Sequence, residues 1–424
     1  MNAVVITIGT ELCRGTVADT NRGWISRRLD AAGLAVAAGL TVPDSAAAIG
    51  AALSFALSLE PDLVVVTGGL GPTGDDLTAP AVAAALELGV EVHPRAAAMV
   101  SRAVAERPDA GGMEGRTAAA GELEPHQRKQ AELPVGSVPI EPAGTAPGFV
   151  VSAGGVPIVV LPGVPGEMEA MWDDALAVPA VGRVLDRAEP RLRRTLCFYG
   201  TGEPQVSEAV ERLISQSGVE VAVGICASRR EIRVDLEFAA EDKDQAGCIT
   251  RELKNLFADF YYSSGAAVEQ VVAEGLINRG RTLAVGESCT GGLLGGALTS
   301  VPGSSRFFLG GVTAYHNDVK MALLKVRREV LDNVGAVSEP VAQQLALGAR
   351  SQTGADYGIG ITGVAGPTGG TEDKPVGLVF ICVSSQQGDV VERFDFPGDR
   401  KEVRAAAVTA ALHLLHRKLA ADGV

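Results

Sequence analysis

Hydrophobic positions along the chain fall into short apolar runs separated by longer amphipathic stretches. "AVVITIG" (3–9), "LAVAAGLTV" (34–42) and "DLVVVTGG" (62–69) are aliphatic runs of the kind found in strands buried on both faces. Between them lie two helical patterns. "NRGWISRRLDAAG" is opened by Asp19–Thr20 and stopped by Gly33, and "SAAAIGAALSFALSL" is opened by Ser45. A Gly/Pro loop and the helix "TAPAVAAALELG" follow the third run. Repeated strand–helix units predict an open parallel sheet with helices on both faces. "RPDAGGMEGRT" (107–117) reads as mobile, and "GFVVSAGGVPIVVLPG" reads as two strands around a Gly-Gly turn, with a helix from about Glu167. This first domain is expected to span 1–175.

Residues 176–258 change character. The strand "RRTLCFYG", two strands around a Ser-Arg-Arg turn, and two amphipathic helices predict a small α+β module. It has no Gly-rich loop and no acid cluster, so it reads as a spacer or a dimer element and makes a homodimer plausible. Residues 259–424 return to an α/β layered pattern, with the strand "DYGIGITGVAGPTGG" and a long last helix from Arg400. The fold class expected is α/β, in three domains: an open parallel-sheet domain, a small α+β module and a layered α/β domain.

Composition narrows the function classes. The 424 residues carry a formal charge of −14, which disfavours nucleic-acid binding, since phosphate contacts need clustered cations. The densest basic run, "RAEPRLRR" (187–194), reads as a solvated linker. Six cysteines at irregular spacing, with no C-x-x-C pair, fit a reducing cytoplasm better than a disulfide framework or a zinc site. Charges or prolines interrupt every apolar stretch before the roughly 18 residues of a membrane span. "MNAVVITIGTEL" lacks the basic start of a signal peptide, so no membrane association and a cytoplasmic location are expected.

Acids gather at the ends of the first three strands: Glu11, Asp19, Asp44 and the pair Asp75–Asp76. In an open parallel sheet these points share the carboxyl edge, where ligands bind. Singly, Asp19, Asp44 and Asp76 read as helix caps. Together, beside "GGLGPTGDD", they suggest Mg²⁺ held between carboxylates and phosphate oxygens. "TIGTEL", "DTN", "VVVTGGLGPTGDDLT", "RKQAELP", "GTAPGF" and "LPGVPGEM", in this order, resemble the first domain of the competence/damage-inducible CinA proteins. That domain is similar to molybdopterin-binding and molybdopterin-adenylyltransferase folds. The resemblance implies a nucleotide site at Gly9, Glu11, Asp44, Gly68, Gly69 and Gly71. It also implies metal ligation by Asp76 and Asp75, and a Mg²⁺-dependent pyrophosphatase acting on ADP-ribose or a related nucleotide.

"AVGESCTGGLLGGALTS" (284–300) places two potential nucleophiles, Ser288 and Cys289, on a strand-to-helix turn. A serine needs a base. His413 and His416 sit three apart on the last helix and face solvent or core, and nothing nearby orients His316. In "TAYHNDVKMALL" Tyr315 ends a strand, Asn317 or Asp318 caps a helix, and Lys320 falls in its first turn. The helix dipole and partial burial both disfavour a protonated lysine there. Amide N–H groups of Cys289, Thr290, Gly291 and Gly292 can bind an oxyanion. Sequence supplies these parts without showing that they meet, and Ser288 can equally be a plain helix cap.

"ESCTGG", "VPGSSRFFLGG", "YHNDVK", "GAVSE", "TGVAGPTGG", "DKPVG" and "PGDR" resemble the CinA C-terminal domain, a nicotinamide mononucleotide deamidase. The resemblance implies hydrolysis of nicotinamide mononucleotide to nicotinic acid mononucleotide and ammonia, with no cofactor. Ser288 is then the nucleophile, Lys320 its base and Tyr315 their neighbour. Asn317, Thr362, Gly363, Gly366 and Arg400 are the expected substrate contacts. The alternative is a regulatory module that binds a nucleotide or pterin without turnover.

Overall fold

The apolar runs become the central strands of three sheets. The computed structural model describes residues 1–106, 123–189 and 191–423, so the 107–117 stretch lies outside the described residues. The chain divides into two units, Met1–Arg191 and Leu192–Val424.

The strands of the first unit are β1 (Asn2–Ile8), β2 (Ala35–Val42), β3 (Leu63–Thr67), β4 (Val90–Val92), β5 (Glu132–Pro134), β6 (Val138–Ile140), β7 (Gly148–Ala153) and β8 (Val156–Leu161). Six of them form one sheet in the order β2-β1-β3-β8-β7-β6, and β4 pairs with β5 in a separate ribbon. β2, β1, β3 and β8 run parallel, as the strand–helix pattern predicts. β7 and β6 add an antiparallel edge, because the two-residue Gly154–Gly155 turn can only return the chain beside β8. Successive β1 residues feed opposite cores. Val4 and Ile6 pack with the helices Ala46–Ser58 and Thr78–Ala85, while Ala3 and Val5 pack with Ile25, Leu29 and Trp172.

The second unit opens with β9 (Leu192–Tyr199), β10 (Val221–Ser228), β11 (Glu231–Phe238) and β12 (Tyr261–Ser263), an antiparallel sheet in the order β10-β11-β9-β12. Arg229 and Arg230, at φ 52° and 66°, make the tight turn between β10 and β11. Leu196, Phe198, Val234 and Leu236 pack under the helices Glu203–Ser217 and Lys243–Leu256. The basic run is not simply a linker: Leu192–Arg194 are in β9, and Arg193 pairs with Asp235 (3.5 Å) and Glu237 (3.9 Å).

Next come β13 (Leu283–Glu287), β14 (Phe308–Thr313), β15 (Tyr357–Gly363), β16 (Leu378–Ser385) and β17 (Gly388–Asp395), in the order β14-β13-β15-β16-β17. β14, β13 and β15 are parallel, and β16 and β17 are antiparallel additions. The helices Val268–Asn278 and Arg400–Ala421 cover one face, and Glu339–Thr353 lies against the other. That helix approaches so closely that a Cβ at Gly360 would lie 2.1 Å from the Ala342 carbonyl and one at Gly358 2.2 Å from that of Ala346. Among the described residues no helix is long and apolar enough to cross a membrane.

His413 joins the antiparallel sheet to the C-terminal helix. Its ring stacks on Tyr199 (3.8 Å between centroids), meets the edge of Tyr262, and places Nε2 2.9 Å from Glu231 Oε1. Burial lowers the His413 pKa more than the Glu231 carboxylate raises it, and His416 shifts the same way through burial and His413 itself. The native ring therefore stays neutral where the unfolded one, titrating near 6.5, takes up a proton. This contribution is complete above that value and is lost as pH falls below it. The thermal midpoint should drop between about pH 8 and about pH 5.5, and the drop should be shallower in His413→Phe. Parallel midpoint–pH curves for the two proteins would contradict this role of His413.

Candidate functional sites

In the first unit a cleft of about 550 Å³ opens at the carboxyl ends of β1 and β3. Gly9, Glu11, Asp44, Gly68, Gly69, Gly71, Asp75 and Asp76 all line it, together with Asp19, Asn21 and Glu167. Gly68 and Gly69 take φ of 110° and 65°. A Cβ on Gly68 would lie 2.3 Å from the Ile8 carbonyl, so only glycine lets this loop cross the end of β1. Asp76 accepts from the Thr73 N–H (2.9 Å) and hydroxyl (2.6 Å), and a Cβ on Gly71 would lie 2.5 Å from its Oδ2. The same hydroxyl reaches Asp75 (2.5 Å) and, with the Asp75 backbone, holds that carboxyl below its usual range.

Asp19 is the N-cap of Thr20–Ala31, as its position suggests, and also accepts from the Thr7 hydroxyl (2.7 Å). Asp44 is not a helix cap. Its carboxylate accepts from the Thr10 N–H (2.8 Å) and hydroxyl (2.9 Å), which ties the ends of β1 and β2. Asn21 and Glu167 escaped the sequence reading. Asn21 donates to the Gly163 carbonyl (2.8 Å) and leaves its buried Oδ1 without a partner. Glu167 follows β8 within "LPGVPGEM", a motif whose position on the shared carboxyl edge was the available signal. Among the described residues no group of three or more His, Cys, Asp or Glu is placed to hold a metal ion.

In the second unit the 288–292 turn leaves the end of β13 between its two parallel neighbours. The Ser288 N–H donates to the Ile361 carbonyl of β15 (2.9 Å), and the Ala314 N–H after β14 donates to the Glu287 carbonyl (2.7 Å). Gly291 and Gly292, at φ 59° and 95°, turn the chain into the helix Leu293–Thr299. Glu287 is 2% exposed, and its carboxylate accepts from the N–H groups of Gly292 (3.0 Å), Leu294 (3.1 Å) and Gly295 (2.9 Å). This buried cap was missed, because in sequence Glu287 is only a polar residue at a strand end. It narrows the expected oxyanion donors. Gly292 N–H is taken by Glu287 and Gly291 N–H by the Ser288 carbonyl (3.1 Å), which leaves as oxyanion donors only the amides of Cys289 and Thr290, both directed toward the Cys289 side chain.

Lys320 is 1% exposed, and its Nζ donates to the Tyr315 carbonyl (3.0 Å) rather than to Ser288. Burial lowers its pKa, and the neighbouring Cys289 opposes the shift. The Cys289 thiol is itself pushed up to about 12 by burial, against the Cys289 and Thr290 amides and Arg404. The N-cap of Asn317–Leu324 is His316, whose Nδ1 accepts the Asp318 N–H, not Asn317 or Asp318; Asn317 is the exposed first residue.

Tyr315 is 59% exposed, and Arg400 bridges its hydroxyl (2.7 Å) to the Gly366 carbonyl (2.8 Å). Thr362 is buried, and its hydroxyl donates to Ala336 (2.7 Å), which fits a tie within the fold better than a free ligand contact. Gly363 is similarly constrained, since a Cβ there would lie 2.7 Å from the Leu378 carbonyl. Arg404, one helical turn beyond Arg400, was missed. Its guanidinium donates to the Thr290 carbonyl (2.7 Å). With Arg400 and Lys401 it lines a cleft of about 610 Å³.

Fold and sites together define a two-part α/β protein, an acid-lined open-sheet unit followed by a unit carrying a serine turn and a buried lysine. Residues 4–183 match the family described as "Probable molybdopterin binding domain", and residues 265–419 match "CinA C-terminal domain". A CinA-like protein of Citrifermentans bemidjiense is 39% identical over 421 residues, covering 99% of this chain and 98% of that protein. One from Mycobacterium marinum is 37% identical over 428 residues, with 98% of each covered. The solved CinA structure from Thermoplasma acidophilum is 36% identical over 43% of this chain and 99% of its own, at a TM-score of 0.37. The chain belongs to the CinA-like protein family.

The Glu287 cap has a measurable consequence. Glu287→Ala would strand the three N–H groups it serves and should lower unfolding stability by about 3 kcal/mol. Glu287→Gln should recover part of the loss. A change below about 1 kcal/mol in urea denaturation would show that the turn is held by other contacts.

Proposed function

We propose that the second unit hydrolyses the carboxamide of nicotinamide mononucleotide. The observation that carries this reading is Lys320, buried beside the 288–292 turn with a depressed pKa and a backbone carbonyl as its acceptor. A neutral amine there can take the Ser288 proton as Oγ attacks the carboxamide carbon. The oxyanion then faces the Cys289 and Thr290 amides. The resulting Lys320 ammonium returns its proton to the leaving nitrogen, and ammonia departs. Water attacks the acyl-serine with Lys320 again as base, releasing nicotinic acid mononucleotide. Arg400, whose guanidinium is held by Tyr315 and Gly366 at the edge of a cleft, is the cation we assign to the phosphate. Cys289 is a poor nucleophile, because burial keeps it a thiol.

For the first unit we infer Mg²⁺-dependent cleavage of the diphosphate of ADP-ribose or a related nucleotide. Asp75 and Asp76 are adjacent hard-oxygen donors beside a glycine loop, and Mg²⁺ commonly takes one or two carboxylates plus phosphate oxygens and waters. The bound ion would polarise the diphosphate. The alternative for this unit is binding of a nucleotide or pterin without turnover, since a cleft lined by glycine-loop backbone, Asn21 and carboxylates serves recognition as well as cleavage. The net charge of −14 and six free cysteines support a cytoplasmic protein that acts on small molecules rather than nucleic acid, and a homodimer is the assembly we infer.

Two experiments test these readings. Ser288→Ala and Lys320→Ala should each lower kcat for ammonia release by about a hundredfold or more, the double variant should add little, and Cys289→Ala should keep most activity. The wild-type rate should rise with pH through an apparent pKa below the ordinary lysine value of 10.5. Loss in Cys289→Ala with survival in Ser288→Ala would reverse the assignment. In the first unit, Asp76→Ala should abolish Mg²⁺-dependent ADP-ribose hydrolysis and leave deamidation unchanged. If wild type hydrolyses no ADP-ribose with Mg²⁺, the unit is a binding module.

A further inference from the structure

We infer that Arg404 is a positioning residue for the nucleophile turn. It grips that turn from the helix whose first residue, Arg400, faces the cationic cleft. The inference rests on the reading of Ser288 as nucleophile. Glu287 holds the turn on its helix side, through the N–H groups of Gly292, Leu294 and Gly295. On the carbonyl side Arg404 donates to Thr290 (2.7 Å) across 114 residues of sequence. The guanidinium lies so close that a Cβ on Gly291 would be 3.1 Å from its Nη2. Arg404 thus fixes the peptide between Thr290 and Gly291, the peptide unit that follows the proposed oxyanion amides of Cys289 and Thr290.

Two further observations set this contact apart from ordinary helix packing. Arg404 Nε and Thr290 Oγ1 are both buried without a hydrogen-bond partner. Unpaired polar atoms on both sides of one contact are uncommon in a purely structural pair. The positive charge also acts on the Cys289 side chain, toward which the proposed oxyanion amides of Cys289 and Thr290 are directed. Arg400 and Arg404 stand four positions apart on one helix face, and both line the cleft of about 610 Å³. The helix Arg400–Ala421 therefore carries, on one face, a group directed at the substrate anion and a group that sets the turn. The two should separate in kinetics: Arg400 governs substrate affinity and Arg404 governs the rate after binding.

The test uses the full chain and four proteins: wild type, Arg400→Ala, Arg404→Ala and Arg404→Lys. With nicotinamide mononucleotide, Arg404→Ala should lower kcat about a hundredfold with KM changed less than about threefold, while Arg400→Ala chiefly raises KM. Added guanidinium ion, at concentrations that leave wild type folded, should restore part of kcat in Arg404→Ala and none in Ser288→Ala. Arg404→Lys should fall between, because an ammonium keeps the charge without the planar fork. The labelling rate of Ser288 by a fluorophosphonate, read by mass spectrometry, needs no assumption about the substrate and should fall about tenfold in Arg404→Ala. Arg404→Ala that shifts KM alone, or labels at the wild-type rate, overturns the inference. So does a loss of activity that tracks the loss of folded protein and resists guanidinium. Wild type that labels at Ser288 but releases no ammonia overturns the proposed substrate and leaves Arg404 to be judged by labelling. Wild type that does neither overturns the reading of Ser288 and this inference with it.

Discussion

A carboxylate buried under a helix start sets the geometry of the second unit. Glu287 ends β13, and the chain must turn sharply to begin the helix Leu293–Thr299. The first N–H groups of any helix lack intrahelical acceptors, and their positive potential attracts an anion. Here the protein supplies that anion itself, so the helix N-terminus is closed to a ligand. An unpaired buried carboxylate costs several kcal/mol, and here the amides it receives offset that cost. Ser288 therefore follows a fixed point and lies between β14 and β15, where the parallel strands open their carboxyl edge.

The second constraint is Lys320. Burying an amine without a carboxylate favours its neutral form, and the Tyr315 carbonyl can accept a hydrogen bond without holding a charge in place. Cys289 is subject to the same burial with the opposite chemical effect, since a thiol in apolar surroundings stays protonated. One environment thus favours a neutral lysine and a protonated thiol, the two conditions that the proposed Ser-Lys reading requires. The preference for Ser288 over Cys289 rests on this difference, not on their positions in the chain.

Much of the architecture was legible in the sequence, because parallel central strands must be apolar on both faces and "AVVITIG" and "DLVVVTGG" have no polar face to expose. The antiparallel edges β6–β7 and β16–β17 were not read as such, since pairing direction depends on turns rather than on apolar periodicity. The acids of the first unit were legible as a group, because strand ends share one edge. Asp44 as a tie to Thr10 was not, since that contact joins two strands through the third dimension. Glu287 escaped because its partners come into reach only after Gly291 and Gly292 adopt left-handed φ. Arg404 escaped because its partner is 114 residues away. His316 displaced Asn317 as the cap, since its Nδ1 can accept the Asp318 amide as an Asn oxygen would.

The central claim is that a serine on this turn, primed by a buried lysine, carries the acyl group of a pyridine carboxamide. The most direct measurement is rapid quenching of the full-length protein during turnover of nicotinamide mononucleotide, followed by tryptic mapping of the 282–306 peptide, which contains both Ser288 and Cys289. The account predicts a transient mass increase equal to the nicotinoyl mononucleotide acyl group, located by fragmentation on Ser288 and enriched at acid quench. An adduct located on Cys289, or ammonia release with the peptide unmodified at every quench time, would contradict it.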